Sequence, residues 1–145
     1  MAPELRGLPR TYRIGPASKR VDHGSFVEIV HTASALGLKP YAPVHLRAGS
    51  DGVGGHTVSW IRRSRIDGDG WALADVPVGE AYEAYQVRVF STGTLRREVS
   101  VTEPGWTYDA ASRTADGVTL PFEVEIAQVS DLYGPGNIAR IVIND

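Results

Sequence analysis

The chain contains no cysteine. That excludes a disulfide framework, a thiolate metal site and a cysteine nucleophile, and it leaves the redox compartment open. It has no apolar run near the roughly 18 residues of a membrane span, and its opening "MAPELRGLPR" lacks the hydrophobic core of a signal peptide. A basic excess is missing too. Fifteen Lys and Arg stand against seventeen Asp and Glu, a formal net charge of −2, so the balance gives no support for a nucleic-acid or anionic-membrane surface. Helical periodicity is the last absence. No window of about eleven residues places apolar groups at the three-and-four spacing of an amphipathic helix.

What remains is a chain of 145 residues punctuated by sixteen glycines and nine prolines, with 42% hydrophobic and 22% charged residues. That composition suits one folded domain with an appendage rather than disorder. Residues 1–41 differ from the rest. They carry the Pro/Gly-broken, mostly basic "LRGLPRTYRIGPASKRVDHGS", with one candidate strand, "FVEIVHTA" at 26–33, in which Phe26, Ile29 and Val30 are expected to be partly buried. This segment reads as an N-terminal extension, or the tail of a preceding unit, packed on a domain spanning 42–145.

From there a regular series of short alternating stretches begins, each bounded by turn residues. "PVHLRA" (43–48) offers Val44 and Leu46, and the glycines of "SDGVGG" suit a turn. "HTVSWIRR" (56–63) sets Val58 and Trp60 on one face. "EAYQVRVF" (83–90) sets Tyr85, Val87 and Val89 inward, then turns through "STGT" into "LRREVSVT" (95–102), with Leu95, Val99 and Val101 inward. "GWTYDA" (105–110) carries Trp106 and Tyr108, and "LPFEVEIAQVS" (120–130) carries Leu120, Phe122, Val124 and Ile126 on one face. "LYGPGN" (132–137) is a turn before the closing "IARIVI" (138–143). About seven strands in about a hundred residues predict an all-β, immunoglobulin-like sandwich. Its expected core anchors are Trp60, Tyr85, Val87, Trp106, Phe122, Val124 and Ile126.

The densest cluster of chemistry is "WIRRSRIDGDGW" (60–71). A calcium loop begun at Asp67 gains Asp69 at its third position but meets Trp71 at the fifth and Ala72 where a glycine is required. Asp-Gly pairs are ordinary turn chemistry. Along a strand Arg63 and Arg65 share a face while Arg62 points oppositely, so the three do not converge on an anion, and Glu80 and Glu83 stand nearby as cross-strand partners. His23, His31, His45 and His56 show no metal-ligand spacing. There is no G-x-S-x-G elbow, no marked pair of facing carboxylates and no phosphate-binding glycine loop. No catalytic residue, cofactor or metal ligand is therefore assigned. Arg65, Asp67, Asp69, Trp71 and Tyr133 are the candidate interaction loop residues.

The tryptophan of the second strand, the Y-x-V-x-V third strand and the late F-x-V-x-I strand before G-x-G resemble the fibronectin type III arrangement. Phe122 occupies the position where that fold usually carries a corner tyrosine, and it has no hydroxyl to offer. A second resemblance rests on order along the chain: "YRIGPASKR" (12–20), "LKPYAPVHLRA" (38–48), "SWIRRSRIDGDGW" (59–71), "DVPVGEAYEAYQVRV" (75–89), "WTYDAA" (106–111) and "AQVSDLYGPG" (127–136). Together they resemble the C-terminal region of the large tail-tip, or baseplate hub, protein of gene transfer agents and related siphophages. That resemblance implies a non-enzymatic virion structural module, made in the bacterial cytoplasm and carried in the particle's tail. Its implied partners are other tail-tip or baseplate proteins and a host-surface glycan or receptor. The alternative is a carbohydrate-binding sandwich that reads cell-surface glycan through Trp71, Trp106 and Tyr133.

Overall fold

The computed structural model describes residues 6–66 and 77–144. The chain divides into two units, Met1–Gly37 and Leu38–Asp145. Pro40 belongs to the second unit, where it is fully buried and its carbonyl accepts a hydrogen bond from the Asn137 amide at 3.0 Å.

The first unit is a two-stranded antiparallel hairpin, β1 (Pro9–Ile14) and β2 (Val27–Thr32). Only the second of these strands is legible by alternation. The expected partial burial holds for Phe26, which is half-buried, and is corrected for Ile29 and Val30, which are exposed. Phe26 closes the hairpin by lying on Gly15, where an added Cβ would fall 2.5 Å from its ring.

Among the described residues the second unit holds seven strands in two antiparallel sheets. One has the order β3 (Val44–Ser50), β4 (His56–Ile61), β7 (Gly105–Tyr108). The other has the order β6 (Thr94–Val101), β5 (Tyr85–Ser91), β8 (Phe122–Ser130), β9 (Gly134–Ile143). Alternation explains the core directly. β4 buries His56, Val58 and Trp60 and exposes Thr57, Ser59 and Ile61, and β5 buries Tyr85, Val87 and Val89. These meet Val124 and Ile126 of β8 with Tyr108, Val118, Phe122 and Ile143, and Trp106 packs at the margin, half-buried. The Trp60 and Tyr85 rings meet edge-on across the two sheets, centroids 5.1 Å apart.

Three details depart from the sequence reading, each for a local reason. Leu95 is exposed, because the β5–β6 register slips between Val89 and Phe90. Val89 stands opposite Arg97 and Phe90 opposite Leu95, so Arg96 is the extra residue and the inward phase is lost at that point. Leu120 is exposed because β8 begins only at Phe122. "LYGPGN" is a turn only at Leu132 and Tyr133, which continue the turn begun at Asp131; Gly134–Asn137 already lie in β9. A fourth feature is new. Ala110–Ala115 form a short helix, α1, capped by Asp109, whose carboxylate accepts from the Ser112 amide at 2.7 Å and the Ser112 hydroxyl at 2.9 Å.

A bulge in β9 sets how residues 38–43 lie along that strand. The β8–β9 register shifts by one residue between Ala127 and Val129, and Gly136 comes against the Pro40 backbone. A Cβ there would stand 2.7 Å from the Pro40 carbonyl oxygen and 3.0 Å from that of Gln128. Neither atom belongs to a side chain that can swing away. Gly136→Ala is therefore expected to destabilise the sandwich by about 1–3 kcal/mol. Gly49→Ala, where a Cβ meets nothing within 4 Å, should leave the urea midpoint nearly unchanged.

Candidate interaction surfaces

The arginine-rich stretch builds a stem. Arg65 donates to Glu80 through Nε at 3.1 Å and again through Nη2, and both side chains are largely buried. Arg62 stands 3.8 Å from Glu83, which also accepts from the Tyr85 hydroxyl at 2.6 Å. Burial, and then Glu83, push the Tyr85 phenol well above its ordinary pKa. The Arg63 guanidinium lies 4.8 Å from the centroid of the Tyr41 ring, a cation–π spacing. Gly79, at φ +74°, brings the chain back against Ser64 and Ile66. β4 ends at Ile61, so the strand alternation expected for Arg62, Arg63 and Arg65 does not apply, and the three arginines face three different partners. Asp67, Asp69 and Trp71 lie outside the described residues. Tyr133 is half-buried, with the Lys39 ammonium 6.0 Å from its ring centroid. Among the described residues no three His, Cys, Asp or Glu gather as a metal-holding group, and no helix is long and apolar enough to cross a membrane.

The two outer sheet faces differ. The three-stranded sheet presents the small polar Thr57, Ser59 and Thr107 beside the exposed Ile61. On the four-stranded sheet the register lines up Glu98, Arg88, Glu125 and Arg140, one from each strand with alternating charge. Glu125 is only 5% exposed because Arg88 and Arg140 reach over it, at 2.6 Å and 2.7 Å. The adjacent row is Leu95, Phe90, Glu123 and Val142. Phe90, Glu123 and Val142 of this row, with Pro121 and Thr92, wall a shallow depression of about 400 Å³. The face is a charge ladder with an apolar margin, and the alternating signs satisfy one another across strands.

At the far margin of the core Arg97 takes the inward place that the β6 bulge vacates for it. It donates to both oxygens of Asp116, with Nε at 2.5 Å and Nη2 at 3.1 Å, and the Tyr108 hydroxyl donates to the same carboxylate at 2.6 Å. The Arg97 guanidinium holds the Asp116 carboxyl below the usual range; the Tyr108 hydroxyl adds to this and burial opposes it. Burial, and then Asp116, raise the Tyr108 phenol. Phe122 lacks a hydroxyl at its corner, and its ring packs edge-on against Tyr108 at 5.8 Å and His56 at 5.6 Å. The polar tie at this end of the sandwich comes from Tyr108 of β7, a role that period-two alternation alone does not reveal.

The hairpin of the first unit has two unlike faces. Directly paired residues share a face, so Arg10, Tyr12 and Ile14 lie with His31, Ile29 and Val27, and Thr11 and Arg13 with Val30 and Glu28. The first face is apolar over four residues, yet Tyr12, Ile14, Val27 and Ile29 remain 43%, 58%, 62% and 42% exposed.

The strand order, two antiparallel sheets of three and four strands with the Trp60–Tyr85 contact between them, makes residues 38–144 a fibronectin type III-like β-sandwich. Solved structures similar to the chain include the mutant form of FN3tt, at 14% identity over 73% of this chain and 96% of that one, TM-score 0.49. Domains d3–d4 of the rat CD45 extracellular region align at 10% identity over 92% of this chain and 64% of that one, TM-score 0.46. The spore cortex lytic enzyme SleM of Clostridium perfringens aligns at 13% identity over 93% of this chain and 38% of that one, TM-score 0.47. No family model matches the chain, and no curated protein matches it in sequence.

The Asp116 cluster generates a pH-dependent expectation. A carboxyl whose pKa is lowered by folding contributes stability that is complete well above its unfolded pKa, near 3.9, and that is lost as pH falls through the lower folded value. Asp116→Asn is expected to cost about 2 kcal/mol at pH 7, because it removes a charged acceptor from Arg97 and Tyr108. Urea unfolding between pH 7 and pH 2.5 should show wild type and variant converging at the acid end. Asp51 and Asp109, both lowered chiefly by backbone amide hydrogen bonds, leave the variant some acid dependence.

Proposed function

We propose that this chain is a non-enzymatic structural and interaction module, and that it serves in the tail tip or baseplate of a phage-like particle, in assembly or host-surface contact. The interaction role rests on one observation, the exposed apolar face of the N-terminal hairpin. Two strands standing alone are marginal in water, and an uncovered apolar sheet face is characteristic of a contact surface. The ion pairs of the sandwich, Arg65–Glu80 and the Glu125 ladder, are internally matched. The particle assignment is supported by the order and spacing of the six sequence segments that resemble the tail-tip hub family. In that setting the chain is made in the bacterial cytoplasm and resides in the virion tail, with other tail-tip or baseplate proteins as its partners.

The glycan alternative draws on aromatic side chains. Trp106 is half-buried and stacks on Tyr108, with centroids 5.1 Å and planes 22° apart, and Tyr133 is half-buried beside Lys39. Among the described residues neither is an open platform for a sugar ring, and Trp71, the third aromatic of this reading, lies outside them; the protein-contact reading is preferred because the hairpin supplies an exposed apolar face. Electron cryotomography of particles carrying a tagged chain should place the tag at the distal end of the tail, and deletion of the gene should reduce assembled, infective particles. A tag elsewhere in the particle, or normal infectivity after deletion, would sink the tail-tip assignment.

A further inference from the structure

Resting on the interaction reading, we infer that the hairpin is a self-pairing element. The free edge of β2 pairs antiparallel with β2 of a second copy about a twofold axis at Ile29, forming a four-stranded sheet. The starting point is that, among the described residues, each strand of this two-stranded sheet has one edge that pairs with no other strand, and the two edges differ in chemistry. β1 is Pro-Arg-Thr-Tyr-Arg-Ile. Its proline offers no N–H and its two arginines add like charge, the usual devices that keep an edge single. β2 is Val-Glu-Ile-Val-His-Thr. It has no proline, lysine or arginine, and its four β-branched residues suit a paired strand.

Charge placement favours the same seam. Among the described residues of the first unit, five basic side chains (Arg6, Arg10, Arg13, Lys19, Arg20) face two acidic ones (Asp22, Glu28). None of the five lies on β2, so pairing through β2 leaves the repulsive groups on the outer strands. A twofold axis normal to the sheet keeps each copy's apolar face on the same side. Residues of like parity then meet: Ile29 opposes Ile29, Val27 opposes His31 and Glu28 opposes Val30. The two sets of Tyr12, Ile14, Val27 and Ile29 merge into one surface. Centring the axis on Val30 instead would set Ile29 against His31 and break that continuity. A lipid surface fits less well, since a bilayer offers no partner for edge N–H and C=O groups.

The absence of cysteine makes the test direct. Residues directly opposite in an antiparallel pair lie about 4.5–5.5 Å apart at Cα, within disulfide range. Ile29→Cys in the full chain should give a covalent dimer on mild oxidation, and Val30→Cys much less. In sedimentation velocity the unmodified chain should show a concentration-dependent dimer. Ile29→Glu and Ile29→Lys should each be monomeric, and their equimolar mixture should recover a dimer. Circular dichroism would confirm that each variant keeps its sandwich.

A chain that stays monomeric at about 100 µM, where even a pairing of about 10 µM affinity is well populated, overturns the inference. So does a dimer indifferent to Ile29→Glu, or a monomer that sediments with phosphatidylserine-containing vesicles. These outcomes are separable from the tail-tip assignment. A monomeric arm leaves the chain's location in the particle unchanged, and a tag found away from the tail tip leaves the dimer unchanged.

Discussion

The sandwich depends on the Trp60–Tyr85 contact. Trp60 stands on β4 of the three-stranded sheet and Tyr85 on β5 of the four-stranded sheet, and their rings meet edge to face. Two sheets with one apolar face each gain nothing until those faces are closed against one another, and large aromatics span the gap between them. Val58, Val87, Val89, Val124 and Ile126 fill the rest of the layer at full burial. The Tyr85 hydroxyl must still be satisfied where it leaves the core, and Glu83 accepts it there. Glu83 in turn stands by Arg62, so this aromatic contact leads directly into the stem carrying Arg65 and Glu80.

The polar groups of the sandwich are arranged by the same need. Arg97 occupies an inward strand position, where an unpaired guanidinium would be costly, and Asp116 with Tyr108 supplies acceptor and neighbour. Glu125 lies on the outer face yet is nearly buried, because two arginines from flanking strands close over it. Cross-strand pairing of this kind lets a sheet carry many charges without presenting one sign to solvent. The hairpin behaves in the opposite way: its charges are mostly of one sign, and its apolar face is left open.

Much of the sandwich was legible in the chain. Clean alternation in residues 56–61, 85–91 and 122–126 has few other interpretations, since a one-residue slip would turn every valine of a strand to water. The misreadings fall where alternation is interrupted. Leu95 reads as inward until the Arg96 bulge changes its phase. Gly134 and Gly136 read as a turn, because glycine marks turns and close backbone approaches alike. α1 is under two turns long, too short for helical periodicity to appear, although Asp109 with Ser112 is a legible cap. The N-terminal hairpin was half-read, since β1 has too few apolar residues to show a period.

The candidate surfaces divide along the same line. Sequence by itself determined the all-β class, the seven strands of the sandwich, and the inward set on β4, β5 and β8. All of these follow from local chirality and a period of two. Only the tertiary structure decided that Arg65 faces Glu80, that Arg97 and Tyr108 share Asp116, that Glu125 lies beneath two arginines, and that Gly136 must admit the Pro40 backbone. Each of these is a meeting of residues distant in the chain. Such meetings are set by strand order and register, which depend on how two whole sheets close on each other and not on any one segment.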